Sequence, residues 1–306
     1  MAKGTTTTTA NALSQYWHDM FIQNLYANMA MKGLTRLARV PRGNGKTVWW
    51  VGIGKVNPAG ASLSEGADPT ARSSRATRVS AVLTEYGNLI TNSRLFMDVS
   101  LDGTREQIIK DLGRDAANTL DDAVLAKALL GSTRIFGGGA SHRSNVVKAS
   151  TADIKSVRRA VRLLQLSSVP RFPDGFYVGL LHPDVLFDIQ SDSAWTDFVK
   201  YRDTVKFDIE GEVGRFYGVR FAVAPSIPIL TNTGSANVDV YRTLVFGPDF
   251  LGQSELDALE LVINEPAKTS ELGTFNAYGY RFSVALARLA EARCVRIETS
   301  ASLGAN

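Results

Sequence analysis

The sequence is poor in the residues that most often carry chemistry. Its 306 residues include one cysteine, Cys294, and three histidines, His18, His142 and His182, spread along the chain. A single cysteine forms no internal disulfide, and scattered histidines do not supply the clustered N/S ligands of a zinc site. Disulfide scaffolds and His/Cys metalloenzymes are thereby excluded. No apolar run approaches the ~18 residues needed to span a bilayer. The stretch Met1 to Ala12 is polar and Thr-rich, without the apolar segment of a signal peptide, so neither membrane insertion nor signal-directed secretion is expected. No internal repeat or coiled-coil heptad is present.

What is present is ordinary in bulk and uneven in distribution. Hydrophobic residues at 44% and charged residues at 21% are globular values. A chain this long is expected to fold as one large or two interleaved domains, burying roughly 75% of its unfolded surface. The net charge is +4, but six cations (Lys3, Lys32, Arg36, Arg39, Arg42, Lys46) face one acid, Asp19, before Thr47, so this segment carries +5 and the remainder −1. The positive character belongs to an N-terminal arm, 1–46, suited to an acidic partner or nucleic acid or simply to solvent.

Hydrophobic spacing predicts an interrupted amphipathic helix over 13–39, with Leu13, Trp17, Phe21, Ile22, Leu25 and Met29 on one side, Gly33 as a break and a further short turn to Arg39. Residues 47–92 read as a long two-stranded excursion: Thr47 to Gly54, a loop rich in Gly, Ser and Pro, then alternating residues from Arg75 to Ile90. An isolated hairpin is marginal in water, so it is expected to pack on something else, in a chain of this size another subunit. The clearest element is a helix from Arg105 to Leu130, with a capping-box spacing at Thr104 and Gln107 and Gly131 at the C′ position. Gly137 to Gly139 reads as a flexible joint and domain boundary. Beyond it the pattern is α+β: helices at 152–167, 183–190 and 193–203, and strands at 176–181, 219–224, 238–246, 259–264, 280–289 and 293–300.

Tests for chemistry return little. Gly43-Asn44-Gly45-Lys46-Thr47 ends like a phosphate-binding loop, yet Val40 stands where a glycine is required, a helix is predicted before it and a strand after it. No G-x-S-x-G elbow occurs, Cys294 lies in an alternating strand, and His182 in Leu181-His182-Pro183-Asp184 suits a helix cap. Asp208, Glu210 and Glu212, near Gly211 and Gly214, read as a polar turn, and Asp121 with Asp122 as a solvated helix face or a salt bridge to a neighbour. Arg158, Arg159 and Arg162 cluster on one helix, with acids near and no aromatic interleaved. No coherent catalytic site emerges, and a long hairpin with a basic arm suits a protein that binds copies of itself.

A set of short motifs carries a resemblance: Leu63-Ser64-Glu65-Gly66 with Pro69, Tyr86-Gly87, Thr119-Leu120-Asp121, His182-Pro183 with Asp188 and Trp195, Gly211-Glu212-Val213-Gly214, Gly218-Val219-Arg220-Phe221, Asp239-Val240-Tyr241, Leu244-Val245-Phe246-Gly247 and Arg296-Ile297-Glu298. In this order, from about Thr47 to Thr299, they resemble the major capsid proteins of tailed bacteriophages with the Hong Kong 97-type fold, most nearly the coliphage N-four type. The resemblance implies an α+β fold comprising an N-terminal arm, an E-loop hairpin at 47–92, a peripheral domain at 93–150 and 266–306 with a spine helix at 105–130, and an axial domain at 151–265.

It implies a non-enzymatic shell subunit without cofactor or metal, located in the virion capsid and assembled in the host cytoplasm. Its copies would form hexamers and pentamers of an icosahedral head around double-stranded DNA. Further implied partners are a separate scaffolding protein, because the 46 residues before Thr47 are too few for a fused scaffold, a portal protein and a decoration protein. Trp17, Phe21, Trp49 and Trp50 are the expected apolar contacts between subunits. Glu65, Arg72, Arg75 and Arg78 would form a charged rim that sets register, and Lys32, Arg36, Arg39, Arg42 and Lys46 a DNA-facing arm. Two alternatives share parts of the pattern: an encapsulin-like nanocompartment shell, and a nucleotide-binding enzyme resting on Gly45-Lys46-Thr47.

Overall fold

The computed structural model describes residues 16–25, 31, 33–39, 45–53, 76–100, 103–192, 195, 212–264 and 274–303. The expected roles of Lys32, Arg42, Glu65, Arg72 and Arg75, the 63–69 motif, Asp208, Glu210 and nearly all of the helix expected at 193–203 lie outside the described residues.

Two sheets and one long helix organise the chain. Strands β1 (Arg36–Arg39), β10 (Leu251–Asn264), β11 (Phe275–Arg288) and β4 (Thr84–Ser93) form a four-stranded sheet in the order β1-β10-β11-β4. A six-stranded sheet has the order β5-β12-β9-β6-β8-β7, built from β5 (Arg134–Phe136), β6 (Tyr177–Leu181), β7 (Glu212–Phe216), β8 (Val219–Val223), β9 (Tyr241–Phe246) and β12 (Cys294–Thr299). It is mixed, with β6 parallel to β8 and β5 parallel to β12. A separate hairpin pairs β2 (Thr47–Ile53) with β3 (Ala76–Val82) antiparallel. The helices are α1 (16–25), α2 (Arg94–Val99), α3 (Thr104–Ala128), α4 (Ile154–Leu166) and α5 (Pro183–Ser191).

The 25-residue α3, about 38 Å long, is the spine of the larger core. Its buried stripe of Ile109, Leu112, Ala116, Leu120, Val124 and Ala128 packs against Tyr278, Tyr280 and Phe282 of β11 and against Val178, Leu180, Leu244 and Phe246 of the six-stranded sheet. Alternation along β6 and β9 turns Tyr177, Leu181, Tyr241 and Val245 to the opposite face, where they meet Val157, Ala160, Val161 and Leu164 of α4 and Val185 and Ile189 of α5. The six-stranded sheet is thus covered by α3 on one side and by α4 and α5 on the other.

The long helix ends by a mechanism the sequence did not display. Arg288 Nη1 donates to the Ala128 carbonyl and Arg296 Nη1 to the Leu129 carbonyl, so two arginines from distant strands satisfy the orphan acceptors at the negative end of the dipole. Gly131 therefore does not serve as C′. At the other end Gly103, with φ +98°, occupies the N-cap without a side-chain cap bond, in place of the expected Thr104 capping box.

Other expectations shift as well. The turn expected up to Arg39 is strand β1, extended because it pairs in parallel with β10 from Arg36↔Gly252 to Arg39↔Glu255. The described part of the run expected from Arg75 to Ile90 forms two strands, β3 and β4. Leu83 N donates to Lys46 O at 2.9 Å and closes the hairpin, after which β4 leaves to pair with β11. Gly137 to Gly139 is a tight turn rather than a flexible joint, since a Cβ on Gly137 would lie 2.6 Å from Ser150 O and one on Gly138 2.5 Å from Ser150 Oγ. Glu212 begins β7 instead of lying in a turn. Sheet membership also crosses the expected domain boundaries. Strands β5 and β12, from 93–150 and 266–306, complete the six-stranded sheet, while β10, within 151–265, belongs to the four-stranded one.

Candidate assembly surface

The hairpin β2–β3 has two unlike faces. Val48 and Trp50, with Val79 and Ala81 beside them, turn inward onto Ala285 and Ala287 of β11. Trp50 is 5% exposed, and its indole lies where a Cβ on Gly252 would stand, at 2.8 Å from Cε2. This corrects the expectation that Trp50 and the inner hairpin face wait for a neighbouring subunit: the chain's own sheet covers them. On the outer face Trp49, Val51 and Val82 are each more than half exposed, and the Arg78 guanidinium stacks over the Trp49 ring at 4.5 Å.

Phe21 needs the same correction. It is fully buried beneath α3, where the Phe21 carbonyl oxygen comes within 2.9 Å of the place a Cβ on Gly113 would occupy. Trp17 is partly buried against the same core, with its ring edge-on to Tyr16 at 5.0 Å. Helix α1 is therefore docked on its own chain. Asp121, expected on a solvated face, is 3% exposed and accepts the Met31 amide hydrogen at 3.3 Å. Of the basic arm positions, Arg36 and Lys46 are exposed, and Arg39 ends β1.

A second exposed apolar patch lies on α2, which sequence reasoning did not single out. Leu95, Phe96 and Val99 are 73%, 52% and 77% exposed, and α2 buries none of its residues. Phe275, 47% exposed, stands opposite Ser93 at the start of β11, beside the N-cap of this helix. The signal was available: Arg94-Leu95-Phe96-Met97-Asp98-Val99 is a short apolar run behind a serine that caps through Phe96 N.

The residues tested for chemistry resolve into structural roles. His182 Nδ1 accepts the Asp184 amide hydrogen at 3.3 Å and caps α5 as expected, while Tyr241 OH donates to Asp184 Oδ2 at 3.0 Å. Burial, reinforced by that carboxylate, pushes the Tyr241 phenol up to about 12. Burial also pushes the Cys294 thiol up to about 11. Lys46 and Thr47 lead into strand β2, with strand β1 before them, so no helix N-terminus is present to hold a phosphate. Among the described residues no group of three or more His, Cys, Asp or Glu could hold a metal ion, and no helix is long and apolar enough to cross a membrane.

Comparison with solved structures places this geometry. The capsid of Ralstonia phage GP4 superposes with a TM-score of 0.74 at 12% identity, covering 91% of this chain and 93% of that one. The capsid asymmetric unit of cyanophage Pam1 gives 0.68 at 13% identity over 90% and 93%. The fold is that of phage capsid chains. The head structure of Helicobacter pylori bacteriophage KHP40 agrees, with a TM-score of 0.64 at 9% identity over 90% and 91%. No protein-family model matches the sequence, and no curated protein matches it. At such low identity the likeness resides in the fold, and within this capsid fold the exposed apolar patches on β2–β3 and α2 are the candidate contact surfaces.

Proposed function

We propose that the chain is the major capsid protein of a tailed bacteriophage, with the Hong Kong 97-type fold and nearest in its motifs to the coliphage N-four type. Its copies would associate as hexamers and pentamers into an icosahedral head around double-stranded DNA. The observation that carries this reading is a fold shared with the GP4 capsid chain over more than nine-tenths of both chains. In this reading the β2–β3 hairpin is the base of the E-loop, α3 the spine helix, and the six-stranded sheet with α4 and α5 the heart of the axial domain. The shell needs no catalysis. A scaffolding protein, a portal and a decoration protein are the further partners, and assembly takes place in the host cytoplasm.

The surface supports a ring-forming subunit. Trp49, Val51 and Val82 on one side and Leu95, Phe96 and Val99 on the other are different patches on one chain. Unlike patches that meet head to tail give heterologous contacts, which form rings where the rotation closes and open filaments where it does not, whereas a single self-complementary patch closes a dimer. Stable contacts of this kind bury well above ~1,000 Å² per pair.

The test is size-exclusion chromatography of the expressed chain followed by negative-stain microscopy. Shells, capsomers or tubes are expected. A chain that stays monomeric even when its phage's scaffolding protein is supplied overturns the reading.

A further inference from the structure

The outer face of α4 is cationic over two turns. The helix buries Ile154, Ser156, Val157, Ala160, Val161 and Leu164. Between Lys155 and Arg162 every exposed residue is a cation: Lys155, Arg158, Arg159 and Arg162. Positions 155, 158/159 and 162 lie on successive turns of one face, so positive charge recurs about every 5 Å along some 10 Å of axis. Like charges three and four apart destabilise a helix. Three exposed cations elsewhere have carboxylates at hand: Arg94 with Asp98 at 3.8 Å, Arg114 with Asp111 at 3.7 Å, Arg281 with Glu260 at 3.7 Å. Among the described residues no ion pair joins the four cations of α4. The acids at the start of the helix are engaged with its backbone, Asp153 accepting from Ser156 N at 2.8 Å and Asp192 from Ile154 N at 3.3 Å.

The fold adds what the linear sequence lacked. Tyr217, half exposed in the turn between β7 and β8, comes to lie under Arg158, whose guanidinium carbon is 5.1 Å from the ring centroid. Arg171, also exposed, reaches to 4.0 Å from where a Cβ on the neighbouring Gly218 would stand. Five cations and one exposed aromatic ring thus share a surface on the side of the six-stranded sheet away from α3 and α1.

We propose that this face of α4, with Arg171 and Tyr217, binds the phosphate backbone of duplex DNA. Duplex as the polyanion rests on the shell reading; the charge pattern itself does not. A row of cations on a straight helix suits a rod with regularly spaced phosphates and needs no particular sequence register. Three of the four are arginines, whose planar guanidinium pairs two hydrogen bonds to a phosphate. No exposed apolar side chain stands among the four to anchor a folded protein partner.

The test is fluorescence anisotropy of the full-length chain with a short labelled duplex across a salt series. Removing one cation that neutralises a phosphate lowers the slope of log affinity against log salt by ~0.9. Replacing Lys155, Arg158, Arg159 and Arg162 together by Gln is expected to lower it by about 3.6, and Arg158→Gln with Arg162→Gln, a milder pair should the quadruple variant unfold, by about 1.8. Glutamine at Arg94, Arg114 and Arg281, or at Arg36 and Lys46 of the arm, is expected to leave most of the slope.

An unchanged slope in both α4 variants overturns the proposal, and so does an equal reduction in the Arg94/Arg114/Arg281 control, which would mark a net-charge effect. A reduction only in the Arg36/Lys46 variant assigns phosphate binding to the arm and overturns it too. Displacement of the duplex by polyglutamate at equal charge concentration identifies an acidic protein as the partner and likewise overturns it. Shells that assemble with an unchanged slope in the α4 variants remove this role of α4 and leave the shell reading intact, whereas a reduced slope in a chain that never assembles does the reverse.

Discussion

Arg143 grips Glu298 through two hydrogen bonds, Nε to Oε2 at 2.7 Å and Nη2 to Oε1 at 2.8 Å, across 155 residues of sequence. Glu298 is fully buried and also accepts from Arg296 Nε at 2.8 Å. Burial by itself would raise the Glu298 carboxyl, but the Arg143 hydrogen bond and the charges of Arg296 and Arg143 outweigh it and hold the group below its ordinary 4.5. A carboxyl lowered in the folded state contributes stability above its unfolded value and loses it as pH falls through the folded one. The chain is therefore expected to weaken progressively below about pH 4.5. Glu298→Gln leaves two arginines short of their partner and should cost ~3 kcal/mol near neutrality while flattening the acid limb. Urea midpoints measured from neutral to acid pH check this; parallel curves for variant and wild type would refute it.

The contact between Gly113 and Phe21 reverses an ordinary rule. Gly to Ala inside an exposed helix normally gains ~1 kcal/mol. At Gly113 the added Cβ would meet Phe21 O at 2.9 Å and Asn24 Cβ at 3.2 Å, both on α1. Backbone cannot swing aside as a flexible side chain does, so Gly113→Ala is expected to destabilise by ~1–3 kcal/mol and to loosen α1 from α3. A lower Tm with faster proteolysis near residues 16–25 is the expected result; a raised Tm contradicts the packing.

Local rules made some of this legible and long-range pairing hid the rest. The apolar repeat of Ile109, Leu112, Ala116, Leu120 and Val124 marked α3 because a helix reports its buried face at +3 and +4. Its terminus was missed because its caps, Arg288 and Arg296, are some 160 residues away. The pairing of β2 with β3 was readable from alternation, yet alternation does not say which partner covers the apolar face, so Trp50 was expected at a subunit interface and lies on Ala285 and Ala287 instead. β1 was hidden because a four-residue strand takes its conformation from β10. The basic face of α4 was visible as Arg158, Arg159 and Arg162, but its aromatic neighbour Tyr217 comes from another strand turn.

Cys294 is the one thiol, and its chemistry follows from its place in β12. It is 2% exposed, and burial pushes the thiol up to about 11 against the opposing pull of Arg288. Relative to an ordinary thiol at 9.0, that lowers the thiolate fraction about a hundredfold at pH 8. Alkylation by iodoacetamide should be at least ~100-fold slower in the folded chain than in denaturant. Comparable rates in both would mean that β12 is open.

Trp49 and Trp50 are adjacent in sequence and separate stability from assembly. Trp50 fills the space over Gly252 between hairpin and sheet, so Trp50→Ala leaves a cavity and should cost ~3–5 kcal/mol, read as a lowered urea midpoint. Trp49 is 52% exposed, and its main intramolecular partner is the stacked Arg78, a contact worth ~0.5–1 kcal/mol at such a site. Trp49→Ala should thus leave the unfolding curve nearly unchanged. If the outer hairpin face is where copies of the chain meet, the same substitution should sharply reduce closed particles in negative stain, because aromatic anchors carry a disproportionate share of contact energy. Wild-type particle yield from Trp49→Ala, with the predicted loss of stability in Trp50→Ala, would keep the fold as described and move the subunit contact away from the hairpin, leaving the Leu95, Phe96 and Val99 face of α2 as the surface to mutate next.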